Sequence, residues 1–395
     1  MSDLRPIILS GAPEGYDAAL LLRELDTSAS PTVHIARDAR RLAAMEAGLD
    51  FFAPDVPRIV FPGWDCLPYD RVSPNPDVSA TRMATLAALV KGMPTQRFVL
   101  LTTLSAATQK LPAREVLSEA SFTARVGDRL DVAALRAFLV RMGFSQAPTV
   151  TEPGDFAVRG GIIDIFPPGE AGPVRLDLFG DVLDGARRFD PVSQRTTETL
   201  SVVELAPVSE VILDEAAITR FRQNYRIAFG AGTSDDPLYE AVSAGRKAQG
   251  AEHWLPFFHE RLETLFDYLP GASVVLDDQF TPARVSRWEG IADQYDTRLE
   301  AMKLKARVDS VYKPCPPDQL YLDDAGWEKA LGGRRVIELS VLPRPTGVGV
   351  LDAGGRIGRN FSPERQIEKV NLFDVLADHV RAKRESGSVV VASYS

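Results

Sequence analysis

The sequence predicts an α/β protein in which a parallel-sheet domain is split by an inserted small α+β domain and followed by a further small α/β domain. Over residues 1–120, short apolar strands alternate with helices, which is typical of a parallel sheet covered on both faces. The pattern over residues 121–206 changes to short strands separated by turns, as in a small antiparallel domain. One isolated apolar strand at 273–277 then supplies the return that a split parallel sheet needs.

Residues 1–120 form the first half of the predicted parallel-sheet domain. Leu20, Leu21 and Leu25 lie at helical spacing, and RFVLLT is apolar enough for a strand buried on both faces. The predicted elements are strands 7–10, 32–35, 58–61 and 97–102 and helices 16–25, 37–50 and 79–90.

The remaining chain is predicted to contain three further parts and a linker. The inserted domain has a helix at 131–143 and strands at 122–126, 155–158, 161–166, 173–179, 187–189 and 200–205. Residues 207–306 complete the first domain and end in a charged helix, 281–306, that should face solvent. Three prolines mark a linker at 307–320. Residues 321–395 begin a small α/β unit of unknown role, with strands 335–340 and 388–392 and a helix within 363–384, and the unfinished pattern predicts a longer polypeptide.

Composition excludes several classes of protein. The 395 residues carry 45 Lys and Arg against 54 Asp and Glu, a net charge of -9, which argues against a protein built mainly to grip a nucleic-acid backbone. Two distant cysteines and four scattered histidines argue against disulfides and metal sites. Without an apolar stretch long enough to span a membrane or a leader sequence, the protein is expected in the cytoplasm.

The turn after the first strand is where a nucleotide-binding fold would hold phosphate. It reads GAPEGYD over residues 11–17. A working phosphate loop continues with lysine, which neutralises phosphate, and with serine or threonine, which binds magnesium. Here Tyr16 and Asp17 follow Gly15, and Gly11 precedes Gly15 by four positions instead of five. We therefore predict that this degenerate loop does not bind ATP and is a glycine turn.

Two aromatic segments are predicted to pack on the core. FPGWDCLPYD, at 61–70, contains a thiol but no neighbouring histidine that would activate it. EHWLPFFH, at 252–259, contains two histidines, but their spacing suits metal ligation on neither a helix nor a strand. Neither segment is predicted to be catalytic.

The most informative strand is VRLDLF, at 174–179. Its apolar residues at 174, 176 and 178 should face the core, which turns Arg175, Asp177 and Phe179 outward. An exposed aromatic ring beside arginine is typical of a protein-binding hot spot. Phe179 covering a small core, with a solvated arginine, is the open alternative. Arg159 joins the patch only if Gly160 and Gly161 form a bulge, because alternation otherwise groups it with the apolar residues at 163 and 165.

These residues carry a resemblance to bacterial DNA-repair families. RGGIIDIFPPG and VRLDLFGDVLDGARRFDPVSQRT resemble the second domain of the excision-repair protein UvrB, and resemble more closely the N-terminal module of the transcription-repair coupling factor (Mfd) family. FPGWDCLPYDRVSPNPDVSATRM and GAEHWLPFFHERLETLFDYLP are also similar to the Mfd family. The similarity covers about residues 5–300 and continues more weakly to 395.

The resemblance implies both a fold and a function. It implies a RecA-like, UvrB-like domain that has lost ATP binding, and an inserted domain at 121–206 that binds UvrA through Arg159, Arg175 and Phe179. It implies an adaptor that recruits UvrA to lesion-stalled RNA polymerase without hydrolysing ATP or holding a cofactor in this region. It further implies that RNA polymerase, DNA, ATP and magnesium are bound by later domains, and that a C-terminal regulatory domain masks the UvrA surface.

Two alternatives stay open at this point. A nucleotide-hydrolysing helicase fragment would need a complete phosphate loop and a Walker B acid. A UvrB-like module for damaged DNA would need an aromatic β-hairpin in the first domain, for which residues 91–94 (KGMP) leave no room.

Overall fold

A computed structural model describes residues 6–93, 95, 97–230, 236–303, 312–355, 359–367 and 370–389. The strands are β1 (Ile7–Ser10), β2 (Thr32–Ala36), β3 (Arg58–Phe61), β4 (Val99–Thr103), β5 (Leu111–Pro112), β6 (Phe122–Arg125), β7 (Ser145–Gln146), β8 (Asp155–Arg159), β9 (Ile162–Ile165), β10 (Val174–Phe179), β11 (Val182–Phe189), β12 (Thr196–Leu200), β13 (Val202–Leu205), β14 (Leu262–Glu263), β15 (Ser273–Leu276), β16 (Val336–Ser340) and β17 (Val350–Asp352). The helices are α1 (Tyr16–Thr27), α2 (Ala39–Phe52), α3 (Pro76–Lys91), α4 (Leu104–Ala107), α5 (Arg114–Glu119), α6 (Val132–Arg141), α7 (Glu215–Phe229), α8 (Pro237–Ser243), α9 (Leu255–Phe258), α10 (Leu265–Tyr268), α11 (Phe280–Lys303), α12 (Pro317–Leu320), α13 (Asp324–Leu331), α14 (Ser362–Arg365) and α15 (Leu372–Arg384).

A seven-stranded sheet organises the first domain. Its order is β17-β1-β16-β15-β2-β4-β3, and every pair is parallel. Successive residues of β15 enter different cores: Val274 packs with one apolar cluster and Val275 with another. The predicted parallel sheet is confirmed, and β15 lies inside it as the strand that follows the insertion.

The first part of residues 321–395 does not form the separate α/β unit that we predicted. β16 lies in the middle of the seven-stranded sheet, between β1 and β15, and β17 extends the sheet beside β1. The predicted linker is also packed: Cys315 and Leu320 are fully buried, and Lys110 donates its backbone N–H to Leu320. Prolines suggested a linker, but here they shape a segment that lies against the core. Residues 307–311 of the linker and 390–392 of the predicted last strand lie outside the described residues.

The inserted region contains a six-stranded sheet of order β12-β11-β10-β9-β8-β7. One face packs with α6 around a core that includes Leu135, Leu139, Ile163, Val174 and Leu176. β6 and β13 form a separate antiparallel pair where the chain enters and leaves this region. The opposite face carries polar side chains, among them the partly exposed Arg175 and Asp177.

A buried ion pair joins the end of the inserted region to the parallel-sheet domain. Arg82 of α3 is fully buried and donates to Glu210 at 2.6 Å. Its guanidinium also lies 4.3 Å from the Phe61 ring, and Trp64 donates its indole N–H to Glu210 at 3.1 Å. The exit of the inserted region is therefore fixed to the body by charge and by aromatic packing.

No helix within the described ranges combines the length and apolar content that crossing a lipid bilayer requires.

Candidate functional site

Phe179 projects from the outer face of the six-stranded sheet. Along β10, Val174 and Leu176 are buried in the core, whereas Phe179 is 82% exposed. The predicted alternation is therefore confirmed, and the alternative in which Phe179 covers a small core is wrong. A large ring left in solvent at the end of a strand is an available apolar contact.

Arg159 reaches the same face through a hairpin turn. β8 ends at Arg159 and β9 begins at Ile162, and these two residues are cross-strand partners. Gly160 and Gly161 are thus the two-residue turn between antiparallel strands, and the predicted glycine bulge is wrong. Gly160 has a φ of 61°, and a Cβ on Gly161 would lie 2.9 Å from the Leu178 carbonyl oxygen. Glycine is required because the turn lies against β10.

A buried carboxylate holds the two predicted arginines together. Asp164 lies directly opposite Arg175 on the neighbouring strand, and its side chain is 1% exposed. Arg175 donates to both Asp164 oxygens, at 2.7 and 2.9 Å, and Arg159 donates to one of them at 2.6 Å. Two guanidinium groups are therefore fixed side by side around one carboxylate.

Further contacts fix Arg175. Its Nη2 donates to Gln194 Oε1 at 3.1 Å, and its guanidinium carbon lies 4.5 Å from the centroid of the Phe189 ring. The hydrogen bonds from Arg175 to Asp164 raise the pKa of Arg175, although partial burial opposes this. With Asp164 matched by one arginine, the group carries one excess positive charge, and the strand that holds Arg175 ends at the exposed Phe179 ring. Such a surface can bind a partner that presents a carboxylate and an apolar residue.

Asp164 and Gln194 were missed by sequence reasoning. Asp164 lies between Ile163 and Ile165 in an otherwise apolar strand, and that isolation was the available signal. Gln194 gives no comparable signal, because only the folded loop brings it to Arg175, 19 residues away in the chain.

The first glycine turn is arranged differently from a phosphate loop. Asp17, 4% exposed, folds back so that one carboxylate oxygen accepts from the backbone N–H groups of Gly15 and Ala18, each at 2.9 Å. The carboxylate therefore occupies backbone amides at the start of α1, which a phosphate loop would offer to phosphate. Tyr16 points elsewhere and donates to the Ala353 carbonyl at 2.9 Å.

A buried arginine compensates Asp17. Arg41 of α2 donates to Asp17 and also to Asp277, which follows β15, at 3.2 and 3.3 Å. Burial lowers the pKa of Arg41, but the hydrogen bonds to Asp277 and Asp17 outweigh it and raise the pKa above its ordinary value. Glu14 also lies 3.2 Å from Arg41, so the positive charge of Arg41 is paired with three carboxylates of the protein itself.

The two aromatic segments pack as predicted. Tyr69, Trp254, Phe257 and Phe258 belong to one buried cluster. Cys66 lies 3.9 Å from the His253 ring, but burial raises the pKa of its thiol to about 12. Burial also lowers the pKa of His253 to about 4, so neither group is activated at neutral pH. The described part of the chain contains no group of three or more His, Cys, Asp or Glu residues that could hold a metal ion.

Comparison with known proteins places this surface in a known kind of domain. Residues 122–210 match the UvrB interaction domain. The chain is 31% identical to a transcription-repair-coupling factor of Haemophilus influenzae and 32% identical to that of Escherichia coli K12, in each case over 80% of this chain and 27% of the relative. It is 33% identical to that of Myxococcus xanthus over 84% of this chain and 28% of the relative. The chain thus spans less than a third of the length of these relatives.

Proposed function

This chain belongs to the transcription-repair coupling factor family, as its N-terminal module, and on that premise we propose that it docks the excision-repair protein UvrA. The observation that carries the proposal is that one sheet holds both the exposed Phe179 ring and the fixed guanidiniums of Arg159 and Arg175, within the residues that match the UvrB interaction domain. Docking then gathers UvrA at lesion-stalled RNA polymerase in the bacterial cytoplasm.

The chemistry of the surface defines what UvrA has to present. Charge-assisted hydrogen bonds from arginine to carboxylate are shorter and stronger than neutral ones. The exposed half of Arg159 is available for such a bond, since only its Nη2 is engaged by Asp164. The Phe179 ring needs an apolar pocket. UvrA is therefore proposed to meet this face with acidic residues around an apolar contact.

The module acts without nucleotide in this proposal. Asp17 occupies the amides at the first glycine turn, and Arg41 is bound to Asp17 and Asp277. This favours an adaptor over a nucleotide-hydrolysing helicase fragment. ATP-driven translocation on DNA, RNA polymerase binding and masking of the UvrA surface are proposed for other parts of the complete protein.

The damaged-DNA-binding alternative finds less support. α3 ends at Lys91 and β4 begins at Val99, a connection too short for a long DNA-clamping hairpin; Pro94 and Gln96 of this connection lie outside the described residues. The net charge of -9 further opposes tight binding to DNA.

The experiment is a calorimetric titration of this chain with purified UvrA, repeated with Arg159→Gln and Arg175→Gln. Each variant is expected to weaken binding by about 2 kcal/mol or more, because a desolvated charge on UvrA would lose its partner. Glutamine is preferable to glutamate at 175, since a glutamate there would repel the buried Asp164. Arg188→Gln is the matched control: it removes an arginine of the same sheet that is paired with Glu170 and Glu198. Unchanged affinity in both test variants would reject the assignment.

A further inference from the structure

We propose that Asp164 is a positioning residue for docking, which holds Arg159 and Arg175 in the geometry that the partner recognises. This inference rests on the proposed function and adds to it a residue that does not itself contact the partner. Asp164 is almost fully buried, so its effect has to pass through the two arginines that cover it.

The register of the sheet places Asp164 at the centre of the surface. It lies opposite Ala157 on β8 and opposite Arg175 on β10, and cross-strand partners point to the same face. Ala157 is small and buried, which leaves room for the Arg159 side chain to fold over from two residues further along β8. Asp164 thus receives Arg175 from directly across on β10 and Arg159 diagonally from β8.

The contacts restrain each arginine to a different degree. Arg175 is bound through Nε and Nη2 to Asp164, bonded again to Gln194 and stacked near Phe189. Arg159 is bound through Nη2 alone, and half of its side chain is exposed. Arginine loses much rotamer freedom when a partner immobilises it, so fixing both side chains in the free protein removes part of that entropic loss from the docking step.

Charge and position predict opposite outcomes, which makes the inference testable. Asp164 cancels one of the two positive charges. If it only reduced the charge of the surface, Asp164→Asn would strengthen binding to an acidic partner, most of all at low salt. If it positions the arginines, the same variant weakens binding although the surface becomes more positive.

The experiment measures UvrA association and dissociation with the whole chain and its Asp164→Asn variant by surface-based kinetics at two salt concentrations. We expect Asp164→Asn to weaken the affinity for UvrA roughly tenfold, mostly through faster dissociation, because the side chains of Arg159 and Arg175 must now be ordered on docking. The Arg175 Nε–H resonance should be protected from solvent exchange in the parent chain and lose that protection in the variant. Glu198→Gln, which removes a carboxylate paired with Arg188 on the same sheet, should leave UvrA kinetics unchanged.

A second variant, Gln194→Asn, tests the positioning of Arg175 if Asp164→Asn does not fold. Gln194 has a φ of 58°, a backbone conformation that asparagine adopts readily, so Gln194→Asn keeps the turn while its shorter side chain no longer reaches Arg175. It should weaken UvrA binding roughly threefold. Equal or tighter binding by folded Asp164→Asn, or by Gln194→Asn where the first variant does not fold, would overturn the positioning role. Undiminished binding by Arg159→Gln and Arg175→Gln would instead reject the proposed function.

Discussion

Replacing Phe179 by alanine separates docking from folding more cleanly than any other change in this surface. A phenylalanine side chain can bury on the order of 200 Å². Because 82% of Phe179 is exposed in the free chain, complete burial by a partner removes about 160 Å² of it from water, which corresponds to ~4 kcal/mol at about 25 cal/mol/Å². Alanine retains part of this area, so the expected loss of binding free energy is about 2–3 kcal/mol, or about 30- to 160-fold in Kd.

The same exposure predicts little effect on stability. Phe179 contributes almost nothing to the core, and the free energy of unfolding should change by less than about 0.5 kcal/mol. The assay is a calorimetric titration with UvrA alongside denaturant unfolding. Ile227 of α7 is also 82% exposed, but it lies outside the inserted region, so Ile227→Ala is the matched control. Equal loss of UvrA affinity in both variants, or none in Phe179→Ala, would mean that UvrA does not bury the Phe179 ring.

Three further predictions concern the buried charges. Arg82→Met leaves Glu210 buried without its cation and should lower the free energy of unfolding by about 3–5 kcal/mol. Lys91→Met breaks an exposed ion pair and should change the free energy of unfolding by about 1 kcal/mol or less. Denaturant titration measures both values, and equal losses in the two variants would count against a stabilising role of the buried pair. Asp17→Asn should destabilise the chain by about 2 kcal/mol without creating affinity for MgATP, which calorimetry would detect. Burial lowers the pKa of His253 from 6.5 to about 4 in the folded state, so the unfolded state binds the proton first as the pH falls. About 3 kcal/mol of the free energy of unfolding present above pH 6.5 should therefore be lost as the pH falls toward 4. His253→Phe should reduce that pH dependence measured by unfolding, and an unchanged slope would count against it.

Local patterns predicted most elements of the fold, because strand and helix periodicities are recorded in neighbouring residues. The strand Val99–Thr103 begins with three apolar residues and is buried throughout, as a central parallel strand should be. The local patterns did not predict which strands pair when they lie far apart in the chain. Val336–Ser340 was assigned to a new unit because prolines precede it, yet it pairs with β1, whose residues lie more than 300 positions earlier. No local pattern specifies which strand will be the neighbour of another.

The geometry of the candidate site was predicted in part for the same reason. Alternation along a single strand was enough to turn Phe179 outward. The placement of Arg159 required knowing that Gly160 and Gly161 close a hairpin, and the role of Asp164 required knowing the register between β9 and β10. A carboxylate that two arginines share is a property of the sheet, and becomes visible only when three strands are aligned.

Amide hydrogen exchange of the whole chain, with and without UvrA, shows which face UvrA covers. If Phe179 and the two arginines form the binding surface, UvrA slows exchange in the turn at 159–162 and around Phe179, on the outer face of the six-stranded sheet, and leaves the first glycine turn at 11–17 unchanged. Protection confined to the parallel-sheet domain, with exchange at 159–162 and 178–182 unaffected by bound UvrA, would contradict it.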